Sequence, residues 1–375
     1  MPDDESYKKL IEHMSNWLFA LPEHENLLPI FKMRMSAEEA EFLSKVPFLP
    51  HTSEELSKSL NISKSEFEEK AKDFARRGIM QRIKGRTTVR YSSGDSLLSI
   101  YRMPGWKGKD DEWNRNLAPL LNQYYTEAYG EEFLGHPTKG LRTLPINQTV
   151  EDPKTIMPYE DIVKVVENFK LFSVAHCACR HRHGLDPAIG EDRCKHETEN
   201  CLHFDTLAKY KLQNGIGREI TKEETLEILK KAADAGLVHG VSNSMERMDT
   251  ICNCCSCCCL FLEKVNNVPG IAGHQKSNYI REINDEKCIK CGLCAKSCPM
   301  KALELIGEKK EDKKLVFVPE LCLGCGVCVH KCPKDAIFLV RRDEEIKYPK
   351  DPGELAAVLL TERGRDPVET FRKNF

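Results

Sequence analysis

Long hydrophobic runs are missing from this sequence. The most apolar stretch, Ile251–Leu262, is a dozen residues long and half cysteine, where a membrane span needs about 20 apolar residues. The N-terminus, MPDDESYKKLIEHMSNWLFALPE, has acids where an export signal carries bases and has no apolar h-region, so the expectation is an unexported, cytoplasmic protein with no membrane insertion. There is no G-x-x-x-x-G-K-S/T loop and no G-x-G-x-x-G opening a helix after a strand, which excludes the two common backbone cradles for nucleotide phosphates. The lone Gly215-Ile216-Gly217 reads as a turn. An excess of one charge is lacking too: 56 basic residues face 58 acidic ones, a net of -2. No global field therefore draws the chain to nucleic acid or to an anionic surface. With 375 residues there is room for two or three domains of ordinary size.

Cysteine is abundant, at 18 residues. In a reducing compartment dense thiols point to metal binding rather than to disulfides. Eight of them form a duplicated motif. Cys288, Cys291, Cys294 and Cys298, followed by Pro299, give C-x2-C-x2-C-x3-C-P, and Cys322, Cys325, Cys328 and Cys332, followed by Pro333, repeat it at a period of 34 residues. The tight spacing lets one loop present three thiolates to three corners of a cubane, while the fourth, turned away by the proline, reaches the other cluster. This assigns Cys288, Cys291, Cys294 and Cys332 to one cluster, and Cys322, Cys325, Cys328 and Cys298 to its partner. Gly292, Gly324 and Gly326 lie between ligands, where the chain needs close approach and freedom in φ. Paired C-x2-C motifs also suit zinc, but the cysteine triplet and the proline are not zinc-ribbon features.

In all eight ligand positions and both prolines this segment resembles the bacterial dicluster ferredoxins. The resemblance covers roughly a sixth of the chain. It implies two 4Fe-4S clusters and low-potential one-electron transfer, with no substrate chemistry at either cluster.

Ten cysteines remain: Cys177, Cys179, Cys194 and Cys201 in one group, and Cys252, Cys254, Cys255, Cys257, Cys258 and Cys259 in another. Three readings stand. Some, particularly Cys258 and Cys259 beside Leu260-Phe261-Leu262, fill a core as small hydrophobes. Alternatively Cys177, Cys179, Cys194 and Cys201, with His176 or His196, bind zinc. In the third reading one or two further iron–sulfur clusters use most of them. Arg180, Arg182 and the nearby histidines would offset thiolate charge. The doublets Cys254-Cys255 and Cys257-Cys258 imply that one member is selected or that a site is shared. From an N-terminal winged helix through His176-Cys177-Ala178-Cys179-Arg180 and the Cys252–Cys259 run to the ferredoxin end, most of the chain resembles multi-cluster ferredoxin-like proteins of strict anaerobes, a likeness that implies fold and cofactors but no reaction.

The expected fold class is α+β, in six stretches. A helical segment occupies 1–35 and a winged-helix-like domain 36–92. A connection over 93–157 carries some helix around Trp113–Tyr129, and a cysteine-rich α/β domain follows over 158–275. A dicluster ferredoxin domain fills 276–340, and a charged tail 341–375 has a helix near 353–362. The winged-helix reading rests on capping pairs Ser36/Glu39, Thr52/Glu55 and Ser63/Glu66, followed by a hairpin about Lys84-Gly85-Arg86. In the α/β domain a helix from Pro158 leads to a strand at Leu171–Ala175, and a helix over Lys222–Ala235 leads to a strand at Leu237–His239. Between Ser36 and Tyr91 eleven Lys or Arg stand against nine Asp or Glu, a net of +2. Such a balance favours protein docking over DNA reading. Tyr124, Tyr125, His203 and His239 read as core residues. Together these features predict an iron–sulfur electron carrier with a redox protein partner. The alternatives are a redox-responsive DNA-binding regulator and an oxidoreductase using a third cluster with an open iron position.

Overall fold

Hydroxyl caps begin the N-terminal helices. Ser36 Oγ accepts from Glu39 N at 3.2 Å while Glu39 accepts from Ser36 N at 2.8 Å, and Thr52 with Glu55 repeats the arrangement. Ser63 Oγ accepts from Glu66 N at 3.2 Å. The computed structural model describes residues 2–374 apart from 86, 147–149, 151–156, 264–272 and 310–311. Helices α1 (Pro2–Ser15), α2 (Leu27–Arg34) and α3 (Ala37–Leu43) precede β1 (His51–Thr52), α4 (Ser53–Ser59) and α5 (Lys64–Arg77). Strands β2 (Met80–Lys84) and β3 (Val89–Ser93) then complete an antiparallel sheet of order β1-β3-β2. Arg86, expected at the hairpin tip, lies outside the described residues.

The stretch expected to be a connection is largely helical. A π-helical turn at Leu97–Arg102 runs into α6 (Met103–Trp106), and α7 (Glu112–Tyr124) runs through a second π turn into α8 (Gly130–Leu134). Pro104, Pro119 and the π turns shift the helical register, which hides the 3.6-residue period from a reading of the sequence. Tyr124 and Tyr125 are core residues, as expected.

Beyond them comes β4 (Leu141–Leu144), then α9 (Ile162–Glu167), β5 (Phe172–His176), α10 (Ala178–Leu185), β6 (Glu199–Phe204) and α11 (Asp205–Gln213). After these the chain forms β7 (Arg218–Ile220), α12 (Lys222–Asp234), β8 (Val238–Ser242), β9 (Thr250–Cys254) and β10 (His274–Gln275). The strands make one seven-stranded sheet, order β10-β4-β8-β9-β6-β5-β7. The central sheet therefore takes a strand from residues 141–144, before the boundary expected at 158. The mixed helix and strand content is that of an α+β protein.

In the C-terminal part β11 (Tyr279–Ile283), α13 (Leu293–Lys296) and β12 (Leu303–Ile306) are followed by β13 (Lys314–Phe317), α14 (Val327–His330) and β14 (Ile337–Arg341). β11 pairs antiparallel with β14, and β12 with β13. The backbone repeats at the sequence period even where residue types differ. Gly292 and Gly326 have φ of 78° and 80°, Lys290 and Gly324 have 54° and 69°, and Lys301 and Asp335 have 53° and 46°.

The last residues fold back as α15 (Pro352–Glu362) and α16 (Pro367–Lys373). Arg363 Nε donates to Glu132 Oε1 at 2.7 Å, and Phe48 N donates to Asn374 Oδ1 at 2.9 Å. The expected tail thus packs its two helices on α8 and on the loop between α3 and β1.

Candidate metal centres

Each ferredoxin-type motif builds a socket from its own loop. After Gly292 and Gly326 turn the chain through left-handed φ, α13 and α14 begin and carry Cys294 and Cys328 inward. At Gly324 a Cβ would stand 2.1 Å from Tyr279 O, so the loop lies against β11 with no room for a side chain. Ala302 N donates to Cys298 Sγ at 3.3 Å, and Ala336 N to Cys332 Sγ at the same distance.

One cavity is lined by Cys288, Cys291, Cys294 and Cys332. A second is lined by Cys298, Cys322, Cys325 and Cys328. The exchange of fourth cysteines expected from the spacing is the partition of thiols between these cavities. Burial pushes the Cys325 thiol up to about 12 and Cys328 well above its usual value. Such thiols become thiolates only with a metal to compensate the charge, so the residues fit an iron–sulfur cluster in each cavity. The first cavity faces outward: Ile289 and Leu293 on its wall are 52% and 44% exposed.

A third cysteine-lined cavity lies in the central domain. Alternation along β9 places Cys252 and Cys254 on one face, and the register that pairs Leu202 with Ile251 brings Cys201 of β6 beside Cys252. Cys177 follows β5, Cys179 sits in the first turn of α10, and Cys259 comes from the turn after β9. Six thiols thus interact in succession: Cys177 with Cys179, Cys179 with Cys259, Cys259 with Cys254, Cys254 with Cys252, and Cys252 with Cys201. The sequence places cysteine motifs directly after two strands; in the fold the second motif begins within β9, one hairpin later.

Two cations, half-buried Arg102 and buried Lys211, lie near these thiols. Arg102 Nη2 donates to Cys252 Sγ at 3.8 Å, and Leu260 N to Cys179 Sγ at 3.4 Å. Burial opposes the Arg102 charge, yet Cys252, Cys201, Cys179 and Asp95 raise its pKa. Lys211 is fully buried over the Trp106 ring, and its Nζ has no hydrogen-bond partner among the described residues. Burial pushes that ammonium well below the usual lysine range, against the pull of Cys201. A buried lysine pushed toward its neutral form would regain its charge beside an anion, and a thiolate-ligated 4Fe-4S cluster in the cavity would supply one. Neither Arg102, Trp106 nor Lys211 belongs to a motif, so nothing in the sequence marks them. His203 Nε2 lies 3.5 Å from Cys201 Sγ, whereas His239 is a core histidine bonded to Asn253 Oδ1 at 2.7 Å.

The remaining four thiols are a separate group. Cys194, Cys255, Cys257 and Cys258 have all their Sγ atoms within 4.8 Å of one another. Arg180 Nη2 donates to Cys255 Sγ at 3.7 Å, as expected for charge compensation. Arg182 instead pairs with Glu263 at 2.8 Å. The set Cys177, Cys179, Cys194 and Cys201, expected as one zinc site, is divided: Cys194 belongs here and the other three line the larger cavity. The doublets Cys254-Cys255 and Cys258-Cys259 split between the two sites, and Cys257-Cys258 stay together.

Residues 281–339 match the model of the 4Fe-4S dicluster domain, so this part of the chain is a dicluster iron–sulfur domain. Over 74 residues the chain is 30% identical to one component of the ion-translocating oxidoreductase complex of Methanosarcina acetivorans. That match covers 20% of this chain and spans only 28% of the relative. No solved structure matches the chain. Among the described residues no helix is long and apolar enough to cross a membrane.

Proposed function

We propose that the chain is an electron-transfer protein carrying three 4Fe-4S clusters, with the outer dicluster cavity as its port and the six-thiol cavity as its inner terminus. Bound in these sites, the clusters supply reversible one-electron transfer. Continuity carries the reading. Cys298 packs both on the apolar cluster that holds Cys294, Cys328 and Cys332 and on the large core that also contacts Cys322, Cys325, Cys179, Cys254 and Cys259. Cys298 thus joins the interior of the dicluster domain to the core that also holds thiols of the inner cavity. Exposed Ile289 and Leu293 give a partner an apolar patch over the first cavity, while Trp106 and Phe261 close the inner one against water. The likeness to a component of an ion-translocating oxidoreductase complex supports an oxidoreductase partner.

The winged-helix-like domain acts in this reading as a docking module. Tyr210 OH reaches Ala75 O at 3.0 Å and Met80 O at 3.2 Å, so α11 holds the end of α5 and the start of the hairpin. On α5, Arg77 pairs with Glu39 and Asp73, and Arg76 with Asp73. With these cations neutralised, a DNA reader is disfavoured.

One observation favours an oxidoreductase as a second reading. A cavity of about 370 Å³, lined in part by Asp95, Arg247 and Asp249, shares Arg102, Trp106 and Phe261 with the six-thiol cavity. A small polar molecule there would lie beside the inner cluster. The test is iron and sulfide analysis with an EPR-monitored redox titration of anaerobic protein. About twelve irons and three reducible centres support the carrier, and about eight irons remove the inner centre. A carrier also predicts that Leu293→Glu slows reduction by a reduced ferredoxin but not by dithionite.

A further inference from the structure

We propose that Cys194, Cys255, Cys257 and Cys258 bind one zinc ion as a closed tetrathiolate, separate from every iron–sulfur cluster. A tetrahedral ion with metal–sulfur bonds of about 2.3 Å sets its ligand sulfur atoms about 3.8 Å apart. Cys194 and Cys255 Sγ stand 3.7 Å apart, Cys255 and Cys258 3.4 Å, and Cys255 and Cys257 3.2 Å. A cubane puts each thiolate on a different iron and spreads the sulfurs more widely. Among the described residues these four cysteines are the only group of three or more such side chains whose ligand atoms come this close; the ferredoxin-type thiols and the six-thiol cavity form no such group.

Local backbone explains how neighbours in sequence share one ion. The chain leaves β9 at Cys254 and enters a turn over Ser256–Cys258, which directs the Cys255, Cys257 and Cys258 thiols to one point. Cys194 comes from the irregular stretch after the short helical turn Pro187–Asp192. Four thiolates and a zinc ion leave two negative charges, and Arg180 supplies a cation at Cys255. Arg180 Nη2 also donates to Asn253 O at 2.7 Å and Nη1 to Asn200 Oδ1 at 2.7 Å, which ties the site to β9 and β6. Zinc is favoured over ferrous iron because thiolate sites bind it more tightly.

The ion has a place in the design. Cys255 and Cys258 also line the six-thiol cavity, so the zinc pins the residue 194 loop to the β9 turn as one wall of that cavity. The inference does not depend on whether the six thiols hold a cluster.

The experiment is elemental analysis and zinc-edge X-ray absorption on full-length protein purified without oxygen. One zinc per chain in a shell of four sulfurs at the zinc–thiolate distance is the expected result. Cys257→Ser, at an exposed position, is expected to lose the zinc and keep its full iron content, whereas Cys254→Ser is expected to keep the zinc. Four outcomes overturn the proposal: no zinc, iron in the tetrad, zinc with nitrogen or oxygen ligands, or zinc retained in full by Cys257→Ser. The absorption spectrum of the unaltered protein decides the question if a variant fails to fold.

Discussion

Replacing Arg102 with Met removes the one guanidinium that donates to a thiol of the six-thiol cavity from the side of Trp106, and its effect can be sized from the structure. Arg102 Nη2 stands 3.8 Å from Cys252 Sγ. At that distance two unit charges interact by about 4 kcal/mol at an effective dielectric constant of about 20. In the proposed inner cluster an added electron would be spread beyond the ligand sulfur, so roughly half of this, about 2 kcal/mol, would fall on the reduced state. With about 59 mV for each 1.4 kcal/mol in a one-electron couple, the midpoint of the inner centre should fall by on the order of 100 mV. Arg102→Lys keeps the charge and should move it much less. The assay is an EPR-monitored potentiometric titration of both variants and the parent, with iron content measured on each. A fall below about 20 mV in a fully loaded Arg102→Met protein, or a rise, would refute the reasoning.

Three further outcomes are expected. Gly324→Ala forces a side chain into left-handed backbone against Tyr279 O and should cost at least about 2 kcal/mol, while Lys290→Gly, at the equivalent φ of 54°, should be neutral or gain up to about 1 kcal/mol; anaerobic thermal unfolding checks both. Arg182, its side chain 5% exposed, pairs with Glu263 at 2.8 Å, donates to Cys258 O at 3.3 Å and lies over the Tyr101 and Tyr125 rings. Arg182→Met leaves Glu263 unpaired and should cost about 3–5 kcal/mol in urea unfolding, with partial recovery on adding Glu263→Gln; no recovery would sink the ion-pair account. Burial lowers His239 to about 4, so the folded state binds fewer protons than the unfolded chain. Its stabilisation is complete above pH 6.5 and is lost as pH falls toward 4, by on the order of 3 kcal/mol. The difference in stability between the parent and His239→Gln should therefore change across that window, and a flat difference would count against the shift.

The N-terminal helices, the hairpin and the helices at 222–234 and 352–362 were legible because each announces itself locally. Caps such as Ser36, Thr52 and Thr221 sit three residues before a glutamate, and Gly78 and Gly236 stop a helix by taking positive φ. Helix around Trp113–Tyr129 was legible, but the helical turns at 97–106 and 130–134 were not, because π turns and Pro104 break the period that a sequence reading relies on. Nor was β4, a four-residue strand buried on both sides and paired with β8 and β10 from far along the chain.

For the eight motif cysteines, the two groups expected from the spacing are the two groups that line separate cavities, since three ligands three residues apart on one loop stay together. For the other ten, only the tertiary structure decided. Strand register brings Cys201 to Cys252, a turn gathers Cys255, Cys257 and Cys258, and an irregular stretch delivers Cys194 to them. Adjacent cysteines such as Cys254 and Cys255 part because strand and turn point successive side chains in different directions, and linear order does not record direction. Arg102, which lines the six-thiol cavity, and Lys211, buried against Trp106 on its wall, come from elements distant in the chain, so their placement exists only once the core has closed around them.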